Sequence, residues 1–139
     1  LREVRESDID SFYEQQADPE SAAMAASTPR DRAALAANWH RIMANDRIVA
    51  RTIVVDAKIA GHVVSWEADG HREVGYSVAR EFWGSGVATT ALGELLKLVD
   101  ERPLEAWIAP HNAGSMRVVE KNGFTFDRVD GDYQVYRIG

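Results

Sequence analysis

Gly84-Ser85-Gly86 follows a segment, Glu73 to Ala79, that reads as a strand, and opens a long apolar repeat: Val87, Ala88, Ala91, Leu92, Leu95, Leu96 and Val99. Steps of three and four mark an amphipathic helix with a broad buried face. A strand, a glycine turn and a helix start together let backbone N–H groups approach a phosphate, aided by the positive end of the helix dipole. The competing interpretation is a structural turn opening an ordinary helix. No Gly-Lys-Ser/Thr follows the turn, which disfavours a nucleotide-hydrolysing P-loop. The chain has no cysteine, so a disulfide framework, a thiolate zinc site and a cysteine nucleophile are excluded. Its four histidines, His40, His62, His71 and His111, form no metal-ligand spacing, and surface or capping roles are their default. No metal is expected.

These groups need elements to hold them. Ser7 is a candidate N-cap for a short helix carrying Ile9, Phe12 and Tyr13. Ser21 to Ser27 reads as a loop or a short, weakly held helix. Thr28 as N-cap and Pro29 at the first helical position open a helix to about Asn45, with Leu35, Trp39, Ile42 and Met43 on one face. Ile48–Val55 and Ile59–Trp66 flank the tight connection Asp56-Ala57-Lys58 and read as a β-hairpin. After the turn signal Asp69-Gly70, Glu73–Ala79 is a third strand. Leu104–Ala109 is a strand and Asn112–Asn122 a helix, with Met116 and Val119 inward, Val118 as a further candidate, and Gly123 as C-cap. Phe124–Val129 and Tyr133–Ile138 flank the hairpin signal Asp130-Gly131. The strand at Glu73, the helix after Gly86 and the strand at Leu104 form a βαβ unit and hence one parallel pair. The expected architecture is α/β (α+β): a mixed, mostly antiparallel sheet of six to seven strands with helices on both faces.

The 139 residues, 45% hydrophobic and 27% charged, suit one domain spanning 1–139. A net charge of −6 argues against broad nucleic-acid binding, so no nucleic-acid partner is expected. No apolar stretch approaches the ~20 residues of a spanning helix, so no membrane partner is expected either. Leu1–Arg5 lacks the apolar core of a secretory signal, and a cytoplasmic location is expected.

Val74-Gly75-Tyr76-Ser77-Val78-Ala79-Arg80-Glu81-Phe82-Trp83-Gly84-Ser85-Gly86-Val87-Ala88 resembles the acyl-CoA-binding segment of the GNAT superfamily, the GCN-like N-acetyltransferases. His111-Asn112-Ala113-Gly114-Ser115-Met116-Arg117-Val118-Val119-Glu120-Lys121-Asn122-Gly123-Phe124 is similar to that family's second motif. Leu1-Arg2 followed by Asp8, with the Phe-Trp-Gly-x-Gly-x-Ala form, looks most like the branch containing ribosomal-protein N-terminal acetyltransferases. The resemblance implies acetyl-CoA as co-substrate and direct acyl transfer to a primary amine, either a protein N-terminus or a small molecule. A non-catalytic acyl-CoA-binding or regulatory module is the alternative. Homodimerisation is common in the family, and no patch in this sequence demands it.

The same resemblance assigns residues. Gly84, Ser85, Gly86, Val87, Ala88 and Thr89 would bind the pyrophosphate: the glycines by backbone approach, Ser85 and Thr89 by hydroxyl donors, and Ala88 by close packing. The family usually has Gln or Arg where this chain has Trp83, so one polar contact is lost. In the family the first strand of the βαβ unit splays from its parallel neighbour, so Ser77, Val78 and Ala79 would pair with the pantetheine arm, with an oxyanion donor near Val78. Asn112 would touch that arm, or serve only as N-cap. Arg80, Arg117 and Lys121 could meet phosphates, or lie on a solvated face. Glu73 is the first choice for general base, with Glu67 as substitute; the bland alternative is a solvated strand glutamate. Ser115 is the choice beside the leaving thiolate, against a surface serine bonding to backbone. The tyrosine that many relatives place seven residues after the Asn is Val119 here, which leaves Tyr133 and Tyr136 as stand-ins. Phe12, Trp39, Trp66, Trp83 and Trp107 are expected mostly in the core, with Trp66 and Trp39 able to line an acceptor pocket.

Overall fold

Two reversals of the chain build the centre of the sheet. In the computed structural model, which describes residues 1–25 and 29–139, β2 (Val49–Val55) and β3 (Lys58–Ala68) are joined by Asp56 and Ala57 at φ 49° and 66°. β3 and β4 (His71–Val78) are joined by Asp69 and Gly70 at φ 46° and 82°. Two successive positive φ angles match the right-handed twist of paired strands, which is why such turns favour Asp and Gly.

With β1 (Arg2–Glu3), β5 (Leu104–Ile108), β6 (Thr125–Asp130) and β7 (Tyr133–Ile138), the sheet has seven strands in the order β1-β2-β3-β4-β5-β7-β6. Every pairing is antiparallel except β4 with β5. This is the mixed sheet expected, with its one parallel pair. Between β4 and β5 runs the helix α4 (Val87–Leu98). The helices before it are α1 (Ile9–Ala17), α2 (Pro19–Ala25) and α3 (Arg32–Ala44); α5 (Ala113–Lys121) follows β5.

Strand alternation divides the core into two. Ile53, Val63, Val74, Val78, Leu104, Ala106 and Ile108 meet Ala91, Leu92 and Leu95 of α4, joined by Val119 of α5 and by Phe124. On the other face, Ile9 and Phe12 of α1 pack with Leu35 and Trp39 of α3 over Ala50 and Ile59. Helices therefore cover both faces, and among the described residues α1 and α3 pack over β2 and β3.

Two helix starts differ from expectation. Asp31, not Thr28, caps α3: its carboxylate accepts the Ala34 N–H at 2.8 Å, and Pro29 precedes the helix. Thr28 lies outside the described residues, as do Ala26 and Ser27 of the small-residue run; Ser21 to Ala25 of that run belong to α2. Near the N-terminus a 3₁₀ turn, Glu6–Asp8, leads into α1, and the organising residue is Asp8 rather than Ser7. The buried Asp8 carboxylate accepts from the Arg2 guanidinium at 2.8 Å through both oxygens, from the Arg5 N–H at 2.8 Å and from the Thr52 hydroxyl at 2.7 Å. Burial alone would raise this carboxyl, but those donors outweigh it and bring it down to about 2. Met43, placed on the apolar face of α3, is exposed because the face narrows past Ile42. No helix of the described residues is long and apolar enough to cross a membrane.

Candidate active site at the splayed strands

β4 and β5 pair over three positions only: Arg72 with Leu104, Glu73 with Glu105 and Val74 with Ala106. Beyond Val74, β4 continues to Val78 and β5 to Ile108 with no pairing between them, so a gap opens in the sheet. Hydrogen-bonding directions alternate along a strand. The Ala79 N–H donates to Ala60 O at 2.7 Å, so odd-numbered residues of this segment turn their peptide groups toward β3. Tyr76 and Val78 therefore turn theirs into the gap. Of Ser77, Val78 and Ala79, only Val78 offers backbone to a ligand there, and Tyr76 is the position that sequence reasoning missed. The Val78 carbonyl already accepts the Trp83 indole N–H at 2.8 Å. Trp83 thus supplies a polar contact to the strand itself; it is 40% exposed rather than part of the core. β3 approaches closely from behind: a Cβ on Gly61 would lie 1.9 Å from the Ser77 carbonyl oxygen, so only glycine fits.

A 3₁₀ turn, Arg80–Phe82, leads to Gly84 and Gly86 at φ 76° and 82°, left-handed conformations that glycine adopts without strain. An added Cβ on either would meet nothing of this chain within 4 Å. Gly86 is the N-cap of α4 and carries no side chain to satisfy the first N–H groups, which therefore face the adjoining space. That space is a cleft of about 540 Å³ lined by Tyr76, Ser77, Val78, Gly84, Gly86, Val87, Ala88, Thr89, Asn112, Ser115, Arg117 and Lys121, with Ser21 and Met24 of α2 at its edge.

Three expected cofactor residues lie outside it. Ala79 is committed to β3. The Arg80 guanidinium is paired with Glu20 at 3.0 Å and Asp18 at 3.3 Å, because its 3₁₀ turn directs it toward α2. The Ser85 hydroxyl turns back to Phe82 O at 2.5 Å. Arg117 and Lys121 do face the cleft and give it positive charge. Asn112 both lines the cleft and caps α5, its Oδ1 accepting the Ser115 N–H at 3.1 Å.

Ser115 is in the cleft and its hydroxyl meets the Tyr76 hydroxyl. The Tyr76 O–H also lies 3.2 Å from the Ser115 carbonyl. Burial pushes the Tyr76 phenol up to about 12, against the lowering effect of the Ser115 bond. Tyr136 and Tyr133 are elsewhere: Tyr136 is buried in the core against Phe126, and Tyr133 packs 6.1 Å from Trp107. Neither stands in for the phenol absent at Val119. Tyr76 alternates with Val74 and Val78, and that period pointed it to the α4–α5 face; its distance to α5 had no local signal.

Glu73 points to the opposite face, beside the pairing that closes the gap. Its Oε2 accepts from His71 Nε2 at 2.9 Å, and its side chain is 15% exposed. Glu105, its partner in register, accepts from Arg128 at 3.1 and 3.3 Å and from the Trp107 indole at 3.1 Å. Burial raises the Glu105 carboxyl, but the Arg128 and Trp107 bonds outweigh this and hold it below the usual range. His71, expected in a turn, begins β4 and lies parallel to Trp107 at 6.0 Å. Glu67, the substitute base, pairs in register with Arg72, which puts it on the other face of the sheet from Glu73, and it is exposed near Arg47. Trp66 borders Gly75 on the Glu73 face, whereas Trp39 is 3% exposed in the core and lines no acceptor space. Trp107 belongs to this open face rather than to the core. His62 packs edge-on against Phe12 and Trp39 at 5.0 and 4.8 Å, and burial lowers it to about 4. His40 pairs with Glu6 at 2.7 Å, and His111 Nε2 contacts Ala23 O at 2.8 Å, tying α2 to the start of α5. Among the described residues no cluster of three or more His, Asp or Glu could hold a metal ion.

Among solved structures, aminoglycoside acetyltransferase AAC(6')-Ib in complex with coenzyme A superposes at a TM-score of 0.81 with 18% identity, over 98% of this chain and 91% of that one. The spermidine N-acetyltransferase of Vibrio cholerae in complex with CoA and spermine gives 0.80 and 15% over 98% and 90%. An acetyltransferase of Agrobacterium tumefaciens gives 0.75 and 22% over 100% and 89%. These likenesses show a shared fold. No curated protein sequence matches the chain. The family model for the acetyltransferase (GNAT) domain matches residues 1–125, and with it the splayed pair and the glycine turn: the chain belongs to the GNAT acetyltransferase family.

Proposed function

We propose that the protein moves an acetyl group from acetyl-CoA to a primary amine by direct attack in a ternary complex, within one catalytic domain spanning residues 1–139. The observation that carries this is the gap between β4 and β5, open to a cleft on one face and to Glu73 on the other. Acetyl-CoA fits the donors present. Unfilled N–H groups at the start of α4 and the left-handed Gly84 and Gly86 suit a pyrophosphate, Arg117 and Lys121 supply countercharge, and Tyr76 presents backbone to an extended amide arm. AAC(6')-Ib binds coenzyme A and kanamycin, and the V. cholerae enzyme binds CoA and spermine, which supports an amine acceptor for this chain.

Glu73 is the general base. Half-enclosed and held by His71, it takes the proton of an ammonium or attacking amine on the open face. The Val78 N–H is the oxyanion donor. Ser115, across the sheet from Glu73, donates to the departing thiolate. Base and leaving-group donor on opposite faces suit an amine that arrives from one side while CoA occupies the other, and with no cysteine in the chain no acyl-cysteine intermediate is available.

Release of free CoA thiol from acetyl-CoA across a panel of primary amines tests the proposal. Acceptor-dependent release supports it. Acetyl-CoA binding without release by any amine would favour a non-catalytic acyl-CoA module, the reading motivated by Val119.

A further inference from the structure

We propose that Tyr76 is a positioning residue for Ser115: its phenol O–H donates to Ser115 Oγ, leaving the serine proton free to point into the cleft and hydrogen-bond the CoA sulfur as it departs. The inference rests on the acyl-CoA reading above and deepens it at one atom.

Four observations converge. Tyr76 is the first residue of β4 past the last paired position, Val74, whose side chain and peptide group both lie on the cleft side of the gap. Its hydroxyl meets the Ser115 hydroxyl, and both residues line the cleft. Ser115 is held by two residues: Asn112 Oδ1 takes its N–H, and the Tyr76 hydroxyl stands within reach of its Oγ and its carbonyl. Finally, the α5 position that would carry a phenol facing the sulfur is Val119, fully buried in the core, so α5 offers no second phenol.

The hydrogen-bond inventory gives the direction. A serine hydroxyl has one proton and two lone pairs, a phenol has one proton, and a thiolate only accepts. When a thiolate is present it takes the Ser115 proton, and the single phenol proton goes to Ser115 Oγ, the nearer of its two acceptors, rather than to the Ser115 carbonyl 3.2 Å away. Burial keeps the phenol protonated throughout the range in which a thiol of ordinary pKa, about 8.5, ionises. In the transfer itself the amine nitrogen bonds to the carbonyl carbon, and the C–S bond breaks with its electron pair on sulfur. The amine proton goes to Glu73. Tyr76 and Ser115 keep their protons throughout and contribute hydrogen bonds only.

Such a chain acidifies the thiol of bound CoA, which can be read without knowing the acceptor. The whole protein is saturated with CoA and the thiolate ultraviolet absorbance is followed against pH. The wild type should ionise bound CoA about tenfold more readily than CoA in solution. Tyr76→Phe, which removes only the hydroxyl, and Ser115→Ala should each return the thiol most of the way to its free value, with CoA affinity at acidic pH changed less than threefold. The double variant should be no worse than Ser115→Ala alone. A fluorinated tyrosine placed at position 76 keeps the ring and strengthens the donor, so it should acidify the thiol further; packing alone would not do this, and it serves if the Phe variant folds poorly. If CoA binds and its ionisation is the same in wild type, Tyr76→Phe and the fluorinated protein, the Tyr76 role is overturned while the acyl-CoA reading stands. If CoA does not bind the wild type at millimolar concentration, both fall.

Discussion

His62 is an imidazole held edge-on between Phe12 and Trp39, with burial lowering it to about 4. An unfolded histidine titrates near 6.5, so between pH 6.5 and 4 the unfolded chain binds the extra proton. Stability is then complete above pH 6.5 and falls as pH drops toward 4, by on the order of 3 kcal/mol. Urea denaturation at stepped pH measures this, and His62→Phe should flatten the slope in that window. Asp8 acts lower: its stabilisation is present above about pH 4 and is lost as pH falls through about 2. Asp8→Ala strands the Arg2 guanidinium and the Thr52 hydroxyl and should destabilise the fold by about 3 kcal/mol at neutral pH. At the site, Glu73→Gln should reduce turnover by about 10²–10⁴-fold while leaving the acetyl-CoA dissociation constant within threefold, as steady-state kinetics beside calorimetry would show. Individual residues were legible where local chemistry named them, as with the glycines of the turn and Asn112 as a cap; Ser115 was reached only through the family resemblance. Tyr76, His71 and Glu105 were not legible, because their meaning comes from what lies across a strand register or on a distant helix. Arg80 misled for the same reason, since only the folded position of α2 reveals Asp18 and Glu20 beside it.

At the scale of elements, the gap between β4 and β5 depends on β3 supporting β4 closely. Gly61→Ala drives a Cβ into the Ser77 carbonyl and should destabilise the protein by about 3 kcal/mol, with the loss visible in thermal unfolding and in weaker acyl-CoA binding together. Gly86→Ala meets no atom but forces a left-handed conformation on alanine, costing about 1–2 kcal/mol locally. It should weaken acyl-CoA binding more than it lowers the unfolding midpoint. Nearly every element was foreseeable from period and turn chemistry, including both central hairpins and the βαβ unit. Helix starts were less so: Thr28-Pro29 has the right residues for a cap, yet Asp31 wins because its carboxylate reaches the Ala34 N–H. The extent of the β4–β5 pairing has no signature in either strand alone.

At the scale of the molecule, the sheet is a partition. α4 and α5 with the glycine turn build one side, and Glu73, His71, Glu105 and Trp107 lie on the other. The net charge of −6 does not oppose a phosphate ligand, since the proposed site uses helix N–H groups and two local cations. The partition predicts sequential kinetics: initial rates varied in acetyl-CoA and amine should give intersecting rather than parallel reciprocal plots. The central claim is that acyl-CoA binds in the gap between β4 and β5, against the start of α4. Titrating acetyl-CoA into the isotopically labelled protein and following backbone amide resonances tests it directly. Saturable shifts concentrated at Tyr76, Val78 and Gly86 to Thr89, with Ala79 and β2 little moved, are the predicted result. The absence of saturable shifts at millimolar acetyl-CoA, or shifts centred away from the gap, would contradict it.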